Sequence, residues 1–191
     1  MLTAQSAALL FEKDYMSPLC WHEDYQAIPD LWQSWLLYPG SFMQRLKKNG
    51  VTDSSISIVQ QTWQAPLLDE KKQLTIIGRE WALVREVLIK NNNNHWMFAR
   101  TVFPRASLTG KERQLARLKN RSLGSVLFRH QQMQRSKFKF TQIMPETNLH
   151  NKIIKLTKRN FGILWARNSI FWLGEKKLLL TEIFFPDVLT L

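Results

Sequence analysis

Arg85, Arg100 and Glu182 are charged residues set inside segments that otherwise read as strands. Arg85 is in phase with Trp81, Leu83, Val87 and Ile89, Arg100 with Trp96, Phe98 and Val102, and Glu182 with Leu178, Leu180 and Phe184. Side chains two apart on a strand share one face, so each charge is expected to project among apolar neighbours. A charge in such surroundings is costly unless it is paired or meets a ligand. Two guanidiniums and one carboxylate converging on an apolar cavity would suit a small polar anion. Arginine is fitted to that task because its planar fork meets a carboxylate in two hydrogen bonds. A structural ion pair, or a strand edge open to water, would give the same pattern, and periodicity leaves both readings open.

Other chemistry has little support in the chain. No GxGxxG opens a helix, and neither GxxxxGK[ST] nor HExxH occurs. His22, His95, His130 and His150 are scattered, without partners at metal-ligand spacing. Cys20 is the single cysteine and has no nearby base. Gly124-Ser125 lacks the flanking glycine of a nucleophile elbow. A metalloenzyme or a triad hydrolase is disfavoured, which leaves shape, arginines and a carboxylate.

The elements that must position these charges follow from pattern and punctuation. Pro29-Asp30 opens a short helix through Leu37, and Pro39-Gly40 breaks it. Ser41 can cap a second helix, Phe42 to Lys48, ended by Asn49-Gly50. Ser55 to Trp63 alternates as a first strand, and Gln64 to Lys72 reads as a turn-rich link. Leu74 to Lys90 is strongly β-prone and reads as two strands meeting near Gly78. Four asparagines, Asn91 to Asn94, make a hairpin loop before the returning strand His95 to Phe103. Helical pieces are expected over Glu112–Leu118 and Leu123–Phe128, then a strand through Phe138 and Phe140. Residues 144–159 read as a basic loop with one helical turn at Ile153–Leu156. The last hairpin runs Phe161–Leu173 and Leu178–Phe185, turning at Gly174-Glu175. Its second arm is apolar on both faces and is expected at the centre of the sheet. The expected fold is α+β, a single antiparallel sheet of about six strands with helices packed on it. Residues 1–28 read as an irregular leader and 29–191 as one domain.

The chain has 191 residues, 45% of them hydrophobic, enough for one sizeable core. Its net charge of +12 is uneven, since residues 99–177 hold 18 Lys and Arg against 3 Asp and Glu. These cations are spaced singly rather than in a tail, and no zinc-finger or RNA-recognition pattern accompanies them, so nucleic acid is not an expected partner. Charge alone leaves open a weak contact with an anionic membrane surface. The N-terminus lacks a basic start, no apolar run approaches a membrane span, and a lone cysteine fits a reducing compartment. A cytoplasmic monomer is expected.

The segments that carry these charges resemble the chorismate lyase (chorismate pyruvate-lyase) family. The similar stretches are Val84-Arg-Glu-Val-Leu, Ala99-Arg-Thr-Val-Phe-Pro, Ser107-Leu-Thr-Gly, Ser122-Leu-Gly-Ser-Val-Leu-Phe, Leu164-Trp-Ala-Arg-Asn-Ser and Leu178-Leu-Leu-Thr-Glu-Ile-Phe-Phe-Pro. Each is weak alone, and their order and spacing from about Leu31 to Pro186 make them specific together. The resemblance implies flap-like helical segments closing over an internal ligand site, and no metal or cofactor. It implies elimination of pyruvate from chorismate to give 4-hydroxybenzoate for ubiquinone synthesis. It also implies roles. Arg85 would bind the ring carboxylate, helped by the backbone N–H groups of Phe42 and Leu123. Glu182 would face the ring hydroxyl, and Arg100 would act at the enolpyruvyl side. Trp165 and Arg167 read as hairpin framework, and Glu86, on the opposite face from Arg85, as a structural partner. Phe42 stands where Met or Leu is usual in the family, and Asn168 where an arginine is common. Two other readings use the same residues differently: a non-catalytic sensor of small aromatic acids, and a basic module for nucleic acid or membrane surfaces.

Overall fold

The computed structural model describes residues 19–191 apart from Asn93 and Glu146. The expected leader therefore falls mostly outside the described residues. Its described part packs on the domain: His22 bridges Phe140, Trp21 Nε1 donates to Asp69, and Ile28 is buried.

Seven antiparallel strands form one sheet. They are β1 (Ser55–Gln64), β2 (Ala82–Lys90), β3 (His95–Pro104), β4 (Met133–Arg135), β5 (Lys139–Ile143), β6 (Leu164–Leu173) and β7 (Lys176–Phe184). The order is β1-β2-β3-β7-β6, and the outer edge of β6 is shared by β5 and β4. β7 lies between β3 and β6, as its two apolar faces require. The helices are α1 (Asp30–Leu36), α2 (Phe42–Lys48), α3 (Leu68–Leu74), α4 (Gly124–Leu127) and α5 (Asn148–Thr157), with short 3₁₀ turns at Arg105–Ser107, Gly110–Arg117 and Pro186–Thr190.

Three expectations are corrected. The link after β1 contains α3, whose Glu70 accepts from the Leu67 backbone N–H and so caps the helix start. Residues 75–81 are loop, so only the second half of the long β-prone run is a strand. Residues 148–157 form the full helix α5, capped by the Thr147 hydroxyl on the His150 N–H. Its packed side mixes Ile153 with the buried His150, and Lys152 reaches in to Glu86, so no clean apolar period marks the helix.

Register sets the two faces. The β2–β3 hairpin pairs Lys90 with His95 beside the loop, then Ile89 with Met97, so Trp96 is an extra residue on β3. Such a bulge shifts every later pair by one and exchanges the faces of β3. Arg85 therefore pairs with Thr101, and Arg100 pairs with Glu86. One face carries Arg85, Val87, Ala99, Thr101, Leu180, Glu182 and Arg167. It is covered by α1 and α2 at one end, where Trp35, Phe42 and Leu46 pack on Met97 and Phe184. At the other end Leu115, Leu118, Leu123 and Leu127 pack on Leu83, Phe103 and Phe171. The opposite face buries Leu88, Phe98, Ala166 and Ile183 under Ile153 of α5, and Val84 and Val102 under Leu74 of α3.

Candidate active site

A cavity opens where the two cores on the first face meet. Its floor is β3, which lines it with Met97 at the end toward α2 and with the short Ala99 and Thr101 between the flanking strands. Ala99 separates Glu182 from Val87, and Thr101 separates Arg85 from Leu180. These short side chains leave space between two charged walls. Arg85 and Glu182 stand on strands flanking β3, two interstrand spacings or about 10 Å apart across the sheet and offset by two residues along it. The roof is formed by Gly40–Met43 from one side and residues 122–128 from the other. The empty volume, mouth included, is about 540 Å³.

Arg85 is 2% exposed. Its Nη2 donates to the carbonyls of Lys119 and Arg121, at 2.9 and 3.2 Å, which aims the fork beneath the roof. Its Nε is buried with no hydrogen-bond partner. Among the described residues no carboxylate lies within ion-pairing distance of it. Burial pulls its pKa below the ordinary arginine value.

Glu182 is equally enclosed but fully answered on one side. Its Oε2 accepts from Arg167 Nε at 2.6 Å and from Arg135 Nη2 at 3.5 Å. Among the described residues no hydrogen bond engages Oε1. Arg167 is itself anchored through Nη1 to the carbonyls of Trp35, Leu36 and Tyr38, at 3.3, 2.9 and 2.7 Å. These are orphan acceptors at the end of α1, so one guanidinium locks the helix end, β6 and the catalytic candidate together. Arg167 is thus a positioning residue.

Arg135 was not singled out from the sequence, because a three-residue strand shows no period. Its Nε donates to Ser169 Oγ at 2.8 Å and its Nη1 to the Pro39 carbonyl at 3.1 Å. Its guanidinium lies over the rings of Phe138 and Phe171, at 4.0 and 4.7 Å. Burial lowers its pKa to about 10, against a smaller raising effect of Glu182.

Phe42 and Leu123 both line the cavity. Phe42 is the first residue of α2, where a backbone N–H has no partner within the helix. Its ring is held edge-on to Phe184, with centroids 5.6 Å apart. Leu123 precedes α4 across the roof. The two halves of the roof touch at Gly124, where a Cβ would stand 2.9 Å from Ser41 Oγ and 3.2 Å from Ser41 Cβ.

Arg100 is not in this group. The bulge turns it to the opposite face, where Nε and Nη2 meet Glu70 at 2.6 and 3.0 Å and Nη1 meets Glu86 at 2.9 Å. Lys152 completes the network on Glu86. Burial lowers the Arg100 pKa, but the attraction of Glu70 and Glu86 outweighs it and leaves the group firmly charged. The role expected for Arg100 at the enolpyruvyl side is therefore withdrawn on geometric grounds: its fork is full and the sheet separates it from the cavity. Glu86, on that same face, is a structural partner.

The antiparallel sheet with its packed helices is a fold shared with transcription regulators. The effector domain of PhnF from Mycobacterium smegmatis superposes with a TM-score of 0.53 at 11% identity, covering 78% of this chain and 90% of that one. A GntR-family regulator from Bacillus cereus gives 0.52 at 14% identity, covering 71% and 94%. These likenesses define the fold. The family is defined by sequence: residues 17–190 match the chorismate lyase family model. A probable chorismate pyruvate-lyase from Nitrosomonas europaea is 31% identical over 171 residues, covering 90% of this chain and 96% of that protein. One from Coxiella burnetii is 32% identical over 174 residues, covering 88% and 92%. The chain belongs to the chorismate lyase family. Among the described residues no helix is long and apolar enough to cross a membrane.

Proposed function

We propose that this protein is a chorismate pyruvate-lyase, making 4-hydroxybenzoate and pyruvate, with the aromatic product feeding ubiquinone synthesis as the family resemblance implies. The observation that carries the reading is Arg85, a buried guanidinium with an unpartnered Nε and no carboxylate of its own, set across a small apolar floor from Glu182. A buried cation without a counter-charge is costly, and a ring carboxylate would relieve that cost. The gap between Arg85 and Glu182 fits a six-membered ring carrying its carboxylate at one end and its hydroxyl at the para position. The backbone N–H groups of Phe42 and Leu123 would assist from the roof.

The reaction breaks the ether C–O bond to the enolpyruvyl group and removes the hydrogen on the adjacent hydroxyl-bearing carbon. The ring becomes aromatic, and the proton completes the methyl group of pyruvate. Aromatisation supplies the driving force, so the protein's work is to orient the ring, hold its carboxylate and stabilise the departing enolate. Glu182, fixed by Arg167, orients the ring hydroxyl. The closed roof excludes water and strengthens each of these contacts. It must also part for entry and exit, so release of the aromatic product is expected to limit turnover.

The test mixes purified protein with chorismate and quantifies both products by chromatography. Equal amounts of 4-hydroxybenzoate and pyruvate, preceded by a product burst and abolished in a folded Glu182→Gln variant, are expected. Tight binding of 4-hydroxybenzoate without turnover would replace this reading with a sensor.

A further inference from the structure

We propose that Arg135 forms a second carboxylate subsite of the cavity, so that the site is built for a dianion carrying two carboxylates on adjacent parts of one ring system. The inference rests on the lyase reading for the identity of that dianion, and on charge and geometry for its existence.

Arg85, Arg135 and Glu182 line the cavity, and Arg167 stands behind Glu182. Arg167 and Glu182 share a 2.6 Å ion pair and cancel. Arg85 and Arg135 remain. Arg135 touches only the carboxylate oxygen already held by Arg167, and at the longer distance of 3.5 Å. The enclosed site therefore carries two cations in excess. That excess is costly in a water-poor cavity, and it is relieved by a ligand of charge −2. A monocarboxylate relieves half of it.

Position agrees with charge. With the ring carboxylate on Arg85 and the para hydroxyl at Glu182, the cation beside Glu182 faces the ring position next to the hydroxyl. That is the position of the enolpyruvyl ether, whose carboxylate is the second charge. Arg135 is also held for such a task. Its guanidinium is sandwiched over two phenylalanine rings and tied to Ser169 Oγ and the Pro39 carbonyl, which leaves two of its five N–H groups uncommitted. Both of its anchors flank the site, so a ligand that engages it also fixes the Pro39–Gly40 entrance to the roof. After elimination the two carboxylates belong to separate molecules, and each product keeps only one of the two arginines.

The experiment compares two inhibitors that differ in one group: 3-(carboxymethoxy)-4-hydroxybenzoate and 3-ethoxy-4-hydroxybenzoate. Isothermal titration on the native protein is expected to show the dicarboxylate binding at least about tenfold more tightly, the gain of one charge-assisted contact. In Arg135→Gln the preference should vanish while affinity for 4-hydroxybenzoate stays within about threefold, less than the cost of a lost hydrogen bond. Arg135→Lys, which keeps the charge and loses the fork, should recover part of the preference. With chorismate, Arg135→Gln should raise KM more than it lowers binding of 4-hydroxybenzoate. Equal affinity for the two ethers in the native protein, or a preference that survives Arg135→Gln, would overturn the subsite even if chorismate is turned over. Failure to turn over chorismate would remove the lyase reading while the two ethers still decide the subsite.

Discussion

Arg85 and Arg100 are buried to nearly the same depth, 2% and 6% exposed, on opposite faces of one hairpin. Around Arg100 two glutamates fill the guanidinium, and a lysine balances the second of them. Around Arg85 there are two backbone carbonyls and a cavity. A buried ion whose charge is answered from within the chain is part of the framework. One whose charge is not answered is waiting for something the chain does not supply. The contrast separates structural from functional arginine without reference to sequence motifs, and mutation of each side should give opposite signatures.

The largest effect is expected on the framework face. Arg100→Met leaves Glu70 and Glu86 buried around a missing cation and should cost about 3–5 kcal/mol, a fall in melting temperature on the order of 10 °C. Turnover per folded molecule should stay close to that of the parent, because no atom of Arg100 reaches the cavity. A variant that melts normally but is inactive would erase the distinction between the faces. Arg85→Met should do the reverse. Turnover should fall by about 10²–10³, the loss of a preorganised contact to substrate charge. The melting temperature should hold or rise, since an uncompensated charge has been removed. Early melting of Arg85→Met would make it a second framework arginine.

This contrast was only half legible in the sequence. The alternation around Arg85, Arg100 and Glu182 correctly marked all three as charges on strands, and β7 as central. It could not say that Arg85 and Arg100 face apart. Carried without interruption from Lys90 and His95, the register would have set Arg85 directly opposite Arg100 and Thr181, on the face away from Glu182. Trp96, the extra residue beside the asparagine loop, reverses that outcome for the whole of β3. Nothing in the identity of Trp96 announces a bulge, since tryptophan is a good strand residue. The other gaps have similar local causes. Helix α5 hid because His150 and the inward-reaching Lys152 interrupt the apolar period of its packed side. Helix α3 hid because Glu70, both its cap and the partner of Arg100, reads as a surface acid. Arg135 sits on a strand too short to have a pattern, and its importance comes from residues more than thirty positions away, Ser169 and Glu182.

A smaller effect tests the roof that only the cavity face possesses. Gly124 lets its segment lie against Ser41, with a substituted Cβ only 2.9 Å from the hydroxyl. Gly124→Ala should strain the closed form by about 1–2 kcal/mol, read as roughly tenfold weaker binding of 4-hydroxybenzoate. Because opening relieves the strain, product release should quicken and the burst should shrink. Unchanged affinity would show that the roof closes without contact at this point.

The smallest effect probes the framework face again, at a place where it is not fully answered. Asn168 is 1% exposed on the face that carries Arg100, pairs across the sheet with Thr181, and neither of its amide atoms has a hydrogen-bond partner. Its neighbours on the same strand and face are Ala166 and Ile170, which pack in the apolar layers below. A buried amide without partners carries a desolvation cost of about 1–3 kcal/mol that replacement by an apolar group of similar volume removes. Asn168→Leu should therefore leave turnover unchanged and stabilise the fold by about 1 kcal/mol, after the expense of fitting a branched side chain. A lower melting temperature would mean that the amide is satisfied through an ordered water. In that case the contrast between the fully paired Arg100 and the unpartnered Nε of Arg85 becomes sharper.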